Sequence, residues 1–169
     1  MELKTLNEIE IISAPHSKIS EVDFENLTFG NVFTDHMLVC DYVDGAWQKP
    51  VIEPYAPFMI DPSAKVFHYG QAIFEGMKAY KDQQDDVWLF RPDENFRRFN
   101  KSATRMAMPE VPEDIFLGGL HRLLEIEKEW VKKGKGNTLY IRPFMIATGH
   151  GVIAAPSQEY RFMIILSPA

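Results

Sequence analysis

A chain of 169 residues, 46% of them hydrophobic, has material for one well-buried core and too little for two. Its formal net charge of -6, without a long basic run, argues against a nucleic-acid partner and for small-molecule chemistry. Cys40 has no second cysteine to pair with, which fits a reducing, cytoplasmic setting, and no apolar run reaches the roughly 18 residues of a membrane-spanning helix.

Residues 1–35 carry no regular periodicity, no secretory h-region and no Arg-rich transit pattern. They are expected to form an irregular segment packed on a domain spanning 36–169. From His36, HMLVCDYVDGAWQKPVIEPY sets two β-prone stretches around Asp44-Gly45, a dipeptide that accepts the positive φ of a tight turn, and predicts a hairpin. AIFEGMKAY and VWLFR, separated by the polar KDQQDD, predict a second. Pro92 and Asp93 then open a helix through ENFRRFNKSATRMA, because proline's fixed φ suits the first turn and a carboxylate there meets the positive end of the helix dipole. After the proline-rich MPEVPED, Phe116, Leu117, Leu120, Leu123, Leu124, Trp130 and Val131 recur at helical spacing, and Lys132-Lys133-Gly134 end that second helix. TLYIRPFMIAT and YRFMIILSPA predict two closing strands, joined by a loop containing Gly149, Gly151 and Pro156. Strands, two helices and strands again make the fold class α+β.

The chain has no P-loop, no GxSxG, no GxGxxG after a strand and no zinc-type His and Cys spacing, so no metal is expected. Gly149-His150-Gly151 reads as a turn between strands. His68 and Tyr69 precede the strand that carries Phe74 and Glu75; on periodicity alone they read as buried aromatics more readily than as site residues. Arg97 and Arg98 are helix neighbours and point about 100° apart, so at most one faces the sheet. An inward guanidinium needs an anionic partner, and phosphate matches its fork of donors. Tyr140 and Arg142, at i and i+2 on a strand, share a face where a phenol beside a guanidinium can receive a carboxylate. The alternative for Arg142 is a structural ion pair with one of the 24 acidic residues, and the residues alone leave both open.

HYGQAIFEGMKAY, FRPDENFRRFNKSATRM and LYIRPFMIATG, in this order and with LTFGNVFTDHMLVCDY upstream, resemble the branched-chain amino-acid aminotransferases of the class IV, fold type IV pyridoxal-phosphate enzymes. The match runs from about Leu27 onward. FEGMKAY by itself is shared with D-amino-acid aminotransferases and aminodeoxychorismate lyases. The resemblance implies the small N-terminal domain of such an enzyme, an antiparallel or mixed sheet with two main helices packed on it. It implies pyridoxal phosphate as cofactor, with Arg98 as a ligand of its phosphate. Phe29, Phe74 and Tyr140 correspond to pocket walls, Tyr69 to a residue reaching the partner subunit's pocket, and Arg142 to a holder of the distal carboxylate of glutamate or 2-oxoglutarate. Leucine, isoleucine and valine are the implied amino donors, and a cytoplasmic homodimer in branched-chain amino-acid biosynthesis the implied setting. The Schiff-base lysine would lie in a C-terminal domain beyond Ala169, so no catalytic residue is expected here and these residues alone are expected to be inactive; Lys78 is read as structural. A reading of another class is a non-catalytic binding or interaction module derived from this domain.

Overall fold

The structure, a computed structural model, describes residues 9–169. Strand β2 (His36–Val43) turns into β3 (Ala46–Trp47) through Asp44 and Gly45, both at positive φ (53° and 77°), as the dipeptide predicts. The chain then returns to β2 as β4 (Val51–Pro54), and β1 (Glu10–Ile11), from the segment expected to be irregular, adds to β4 in parallel. Strands β5 (Ala72–Phe74), β6 (Met77–Lys81), β7 (Val87–Leu89), β8 (Leu139–Ala147) and β9 (Tyr160–Pro168) complete one nine-stranded mixed sheet. Its order is β1-β4-β2-β9-β8-β6-β7, with β3 against β2 and β5 against β8.

The FEGMKAY stretch, expected as one strand, is two. Both β5 and β6 pair with the same edge of β8, but the ladder breaks at Glu75-Gly76, opposite Pro143. The Glu75 amide still donates to the Pro143 carbonyl (2.8 Å), yet proline has no N–H to return on that edge, so the strand bulges there.

A short helix α1 (Lys65–Tyr69), absent from the sequence reading, precedes β5 and ends on Gly70 at φ 62°. Helix α2 (Pro92–Arg105) starts with proline in its first turn and Asp93 and Glu94 behind it, as predicted. The second predicted helix is interrupted: a π-helical turn (Asp114–Gly118) leads into α3 (Gly119–Ile126), followed by a 3₁₀ turn (Lys128–Trp130). The apolar spacing located this helix but not its interruptions. A Cβ on Gly119 would sit 2.7 Å from Leu38 Cδ2, so α3 meets the sheet at closest approach where it carries no side chain.

Helices α2 and α3 cover one face of the sheet. Phe99, Phe116 and Phe162 form the centre of that core with ring centroids 5.3–5.5 Å apart. All three are fully buried, each side chain contributing about 1.5–3 kcal/mol on transfer from water. Strand β8 alternates accordingly, with Leu139, Ile141, Met145 and Ala147 inward and Tyr140, Arg142 and Phe144 toward the opposite face. That opposite face has a smaller apolar cluster of Met37, Val39 and Met163, edged by Tyr55, Phe58, Phe144 and Ile165. Among the described residues no helix is long and apolar enough to cross a membrane.

Candidate functional site

The open face gathers four of the residues singled out in the sequence. Antiparallel pairing puts Phe74 opposite Phe144, and hence on the side of Tyr140 and Arg142. The Arg142 guanidinium lies 4.4 Å over the Phe74 ring, and its Nη2 and Nε donate to the Tyr140 hydroxyl at 2.7 and 3.2 Å. Phe29 meets the Tyr140 ring edge-on at 5.1 Å. Gly76 is required here: a Cβ would fall 2.5 Å from the Tyr140 oxygen, so only a bare backbone lets the phenol lie across the β5–β6 bulge. Arg142 forms no ion pair with a carboxylate among the described residues. Its charge is instead held between a phenol and an aromatic face. Phe29 and Phe74 are about 60% exposed, forming walls open to an occupant.

Next along the bulge, Glu75 is almost wholly buried and fully bonded. Its Oε1 accepts from Arg98 Nε (2.5 Å), and its Oε2 accepts from Arg98 Nη2 (2.7 Å) and Asn95 Nδ2 (2.9 Å). Burial pushes the Glu75 carboxyl up, but the bonds from Arg98 and Asn95 outweigh this and hold it below its ordinary value. Only one of the two arginines faces the sheet, as helix geometry requires, and it is the one the family resemblance implies: Arg98 turns to the sheet while Arg97 pairs with Asp93 and Glu94 in solvent. The sequence reading is wrong about depth. The Arg98 side chain is 67% exposed, capping a buried carboxylate rather than being buried itself, so desolvation gives it no need of a second anion.

The fork still has outward donors, because Glu75 takes only Nε and Nη2. They border an open depression of about 550 Å³ lined by Phe90, Arg91, Glu94, Asn95, Arg97, Arg98 and Lys101. Arg91 and Arg97 on its rim are paired with Glu94 and Asp93, so it is Arg98, a guanidinium held in orientation by a buried carboxylate, whose outward donors fit a phosphate group. Asn95 and Gly76 join this candidate site without having been singled out in the sequence, and Glu75, noted there beside Phe74 but given no role, lies at its centre. The available signal was a carboxylate and a glycine interrupting a strand pattern, which marks a bulge.

Tyr69 is not brought into this cluster. Its hydroxyl donates to the Val152 carbonyl, joining α1 to the loop between β8 and β9. Lys78 pairs in register with Tyr140 and is exposed on the same face. Among the described residues no group of three or more His, Cys, Asp or Glu side chains could hold a metal ion.

No family profile matches the chain. It is 53% identical over 147 residues to branched-chain-amino-acid transaminase 1 of Bacillus subtilis, covering 86% of this chain and 41% of that protein. A probable branched-chain-amino-acid aminotransferase of Staphylococcus epidermidis is 51% identical over 148 residues, or 87% of this chain and 41% of that one. Over most of its length the chain is similar in sequence to branched-chain aminotransferases. It spans about two fifths of the length of the curated relatives it matches, and corresponds to their N-terminal part. The fold agrees: the branched-chain aminotransferase of Thermoproteus uzoniensis, solved with norvaline, superimposes with a TM-score of 0.57 at 19% identity, over 79% of this chain and 41% of that one. The enzyme of Thermobaculum terrenum in its PLP form gives 0.56 at 20% identity, over 78% and 40%.

Proposed function

We propose that these residues build one wall of the active site of a pyridoxal-phosphate transaminase that exchanges amino groups between leucine, isoleucine or valine and 2-oxoglutarate. The observation that carries this reading is Arg142, a cation with no carboxylate partner among the described residues, set between the Tyr140 hydroxyl and the Phe74 ring. A pocket serving this reaction must accept an aliphatic side chain and then the acidic side chain of glutamate. Phe29, Phe74 and Tyr140 supply apolar walls for the first, and the outward donors of Arg142 receive the distal carboxylate of the second.

Arg98 presents its remaining donors to the cofactor phosphate, and Glu75 fixes their direction. Both roles are orientation and charge, which is what a protein contributes around a cofactor that carries the chemistry. When bound, pyridoxal phosphate supplies the electron sink that lets the amino-acid α-proton leave. Family likeness further supports a homodimer in the cytoplasm, with Tyr69 directed to the partner's pocket. The test is amino transfer by the full natural polypeptide: glutamate formed from 2-oxoglutarate with leucine, isoleucine and valine in turn. Turnover of D-alanine but of none of the three would overturn the assignment.

A further inference from the structure

Lys65 is buried, yet it forms no ion pair among the described residues. Its Nζ donates instead to two backbone carbonyls, Ile153 (2.9 Å) and Ala155 (2.7 Å), in the loop between β8 and β9. Burying an ammonium costs several kcal/mol unless its protons are bonded, and an aliphatic side chain of the same length would fill the space without that cost. What the cation adds is direction: two carbonyls aimed at one point.

The loop is fastened along its whole length from α1 and its flanks. The Gly149 carbonyl accepts the Lys65 amide at 3.1 Å, and the Gly151 amide donates to Ser63 Oγ at 3.0 Å. The Val152 carbonyl takes the Tyr69 hydroxyl, and the Ser157 amide donates to Gln71 Oε1 at 3.1 Å. Gly151, at φ 106°, makes a turn that other residues rarely adopt. The result is a loop with a held backbone and two outward apolar side chains, Val152 (64% exposed) and Ile153 (76%). Side chains that protrude from a fixed backbone are preorganised for contact, whereas a loop serving only as a connection needs no such fastening.

We infer that Lys65 is a positioning residue: through the Ile153 and Ala155 carbonyls it fixes the loop that, with Tyr69, completes the substrate pocket. This rests on the transaminase reading, because Tyr69 enters the pocket only under that reading. Lys65 touches no reacting atom, so its loss should disturb binding geometry more than chemistry.

The test uses Lys65→Met, Lys65→Gln and Lys65→Arg in the full natural polypeptide. Amide hydrogen exchange over residues 151–155 should quicken about tenfold or more in the Met variant, with β8 and β9 unchanged. The KM for the amino acid should rise about fivefold or more while kcat stays within about threefold, with Gln intermediate and Arg nearest wild type. Unchanged exchange in the loop overturns the clamp. Faster exchange with unaltered KM overturns the positioning role while leaving the transaminase reading intact. If wild type transfers no amino group, the functional reading falls and the positioning role with it, and exchange still reports on the clamp. Should Lys65→Met fail to fold, the Gln and Arg variants give the same comparison.

Discussion

Arg97 and Arg98 are adjacent and equally charged, yet one bonds only its own helix and the other caps a buried carboxylate. That contrast makes a clean experiment on the full natural polypeptide. Arg98→Ala should weaken pyridoxal-phosphate binding about tenfold or more, while Arg97→Ala, losing only exposed pairs, should stay within about twofold. Titration of cofactor absorbance measures both, and a larger effect from Arg97 would sink the site assignment. Glu75→Gln should resemble Arg98→Ala in part, because the guanidinium survives without its orienting partner. Cys40 makes a second prediction. Burial lifts its thiol to about 12, helped by the nearby negative charges of Asp41 and Asp114, and its Sγ faces the Gln48 carbonyl at 3.2 Å. The thiolate is the reactive species, so a disulfide reagent at neutral pH should leave Cys40 unmodified until denaturant is added. Rapid labelling of the native protein would contradict this.

At the scale of elements, the segment ahead of β2 is held by a buried polar network rather than by apolar packing alone. Asp35 accepts from Ser17 Oγ (2.5 Å), the Lys18 amide (2.9 Å) and Trp130 Nε1 (3.1 Å), while Glu127 bonds the His36 ring and the Asp35 amide. His36 Nε2 in turn accepts the Ala14 amide at 2.8 Å. Burial pushes the Asp35 carboxyl up, but its three donors outweigh this and hold it below its ordinary value. A depressed folded-state pKa adds stability that is present above the unfolded value, about 3.9, and is lost as pH falls through the folded value. Acid should therefore release residues 9–20 before the sheet melts, and Asp35→Asn should flatten that dependence; hydrogen exchange of this segment between pH 6 and 3 reads it. Glu127 runs the other way, pushed up by burial against the pull of His36, so its truncation is the better probe. Glu127→Ala strands two donors in the interior and should cost about 2–4 kcal/mol in denaturant unfolding. A cost below 1 kcal/mol would mean that the network does not hold the segment.

For the whole molecule the asymmetry of the sheet matters most. One face is closed by α2 and α3. The other keeps a depression of about 400 Å³ among Met37, Tyr55, Phe58, Phe144 and Ile165, and exposed Phe67, Phe90, Val152 and Ile153 add apolar surface elsewhere. An uncovered apolar sheet face with further exposed apolar side chains favours association. A polypeptide of these 169 residues should therefore self-associate, its sedimentation coefficient rising with concentration in the micromolar range. A single monomer species across that range would show that the open face tolerates water.

Several features were legible in the sequence because they depend on neighbours along the chain. The turn at Asp44-Gly45 needs only residues that accept positive φ, α2 announces itself through Pro92 and Asp93, and alternation along β8 puts Tyr140 and Arg142 on one face. Motif likeness added the family and the identity of the candidate site residues. The tertiary structure decided what depends on distant partners. Pro143 breaks the FEGMKAY strand from across the ladder, Gly119 matters because Leu38 is behind it, and Lys65 takes its meaning from carbonyls 88 and 90 residues away. Arg98 combines the two levels: helix periodicity allowed only one of Arg97 and Arg98 to face the sheet and motif likeness indicated Arg98, but only the fold placed Glu75 beneath it and left the guanidinium facing solvent. Local patterns set backbone conformation and which way a side chain points, whereas burial and pairing are set by whatever the folded chain brings opposite it.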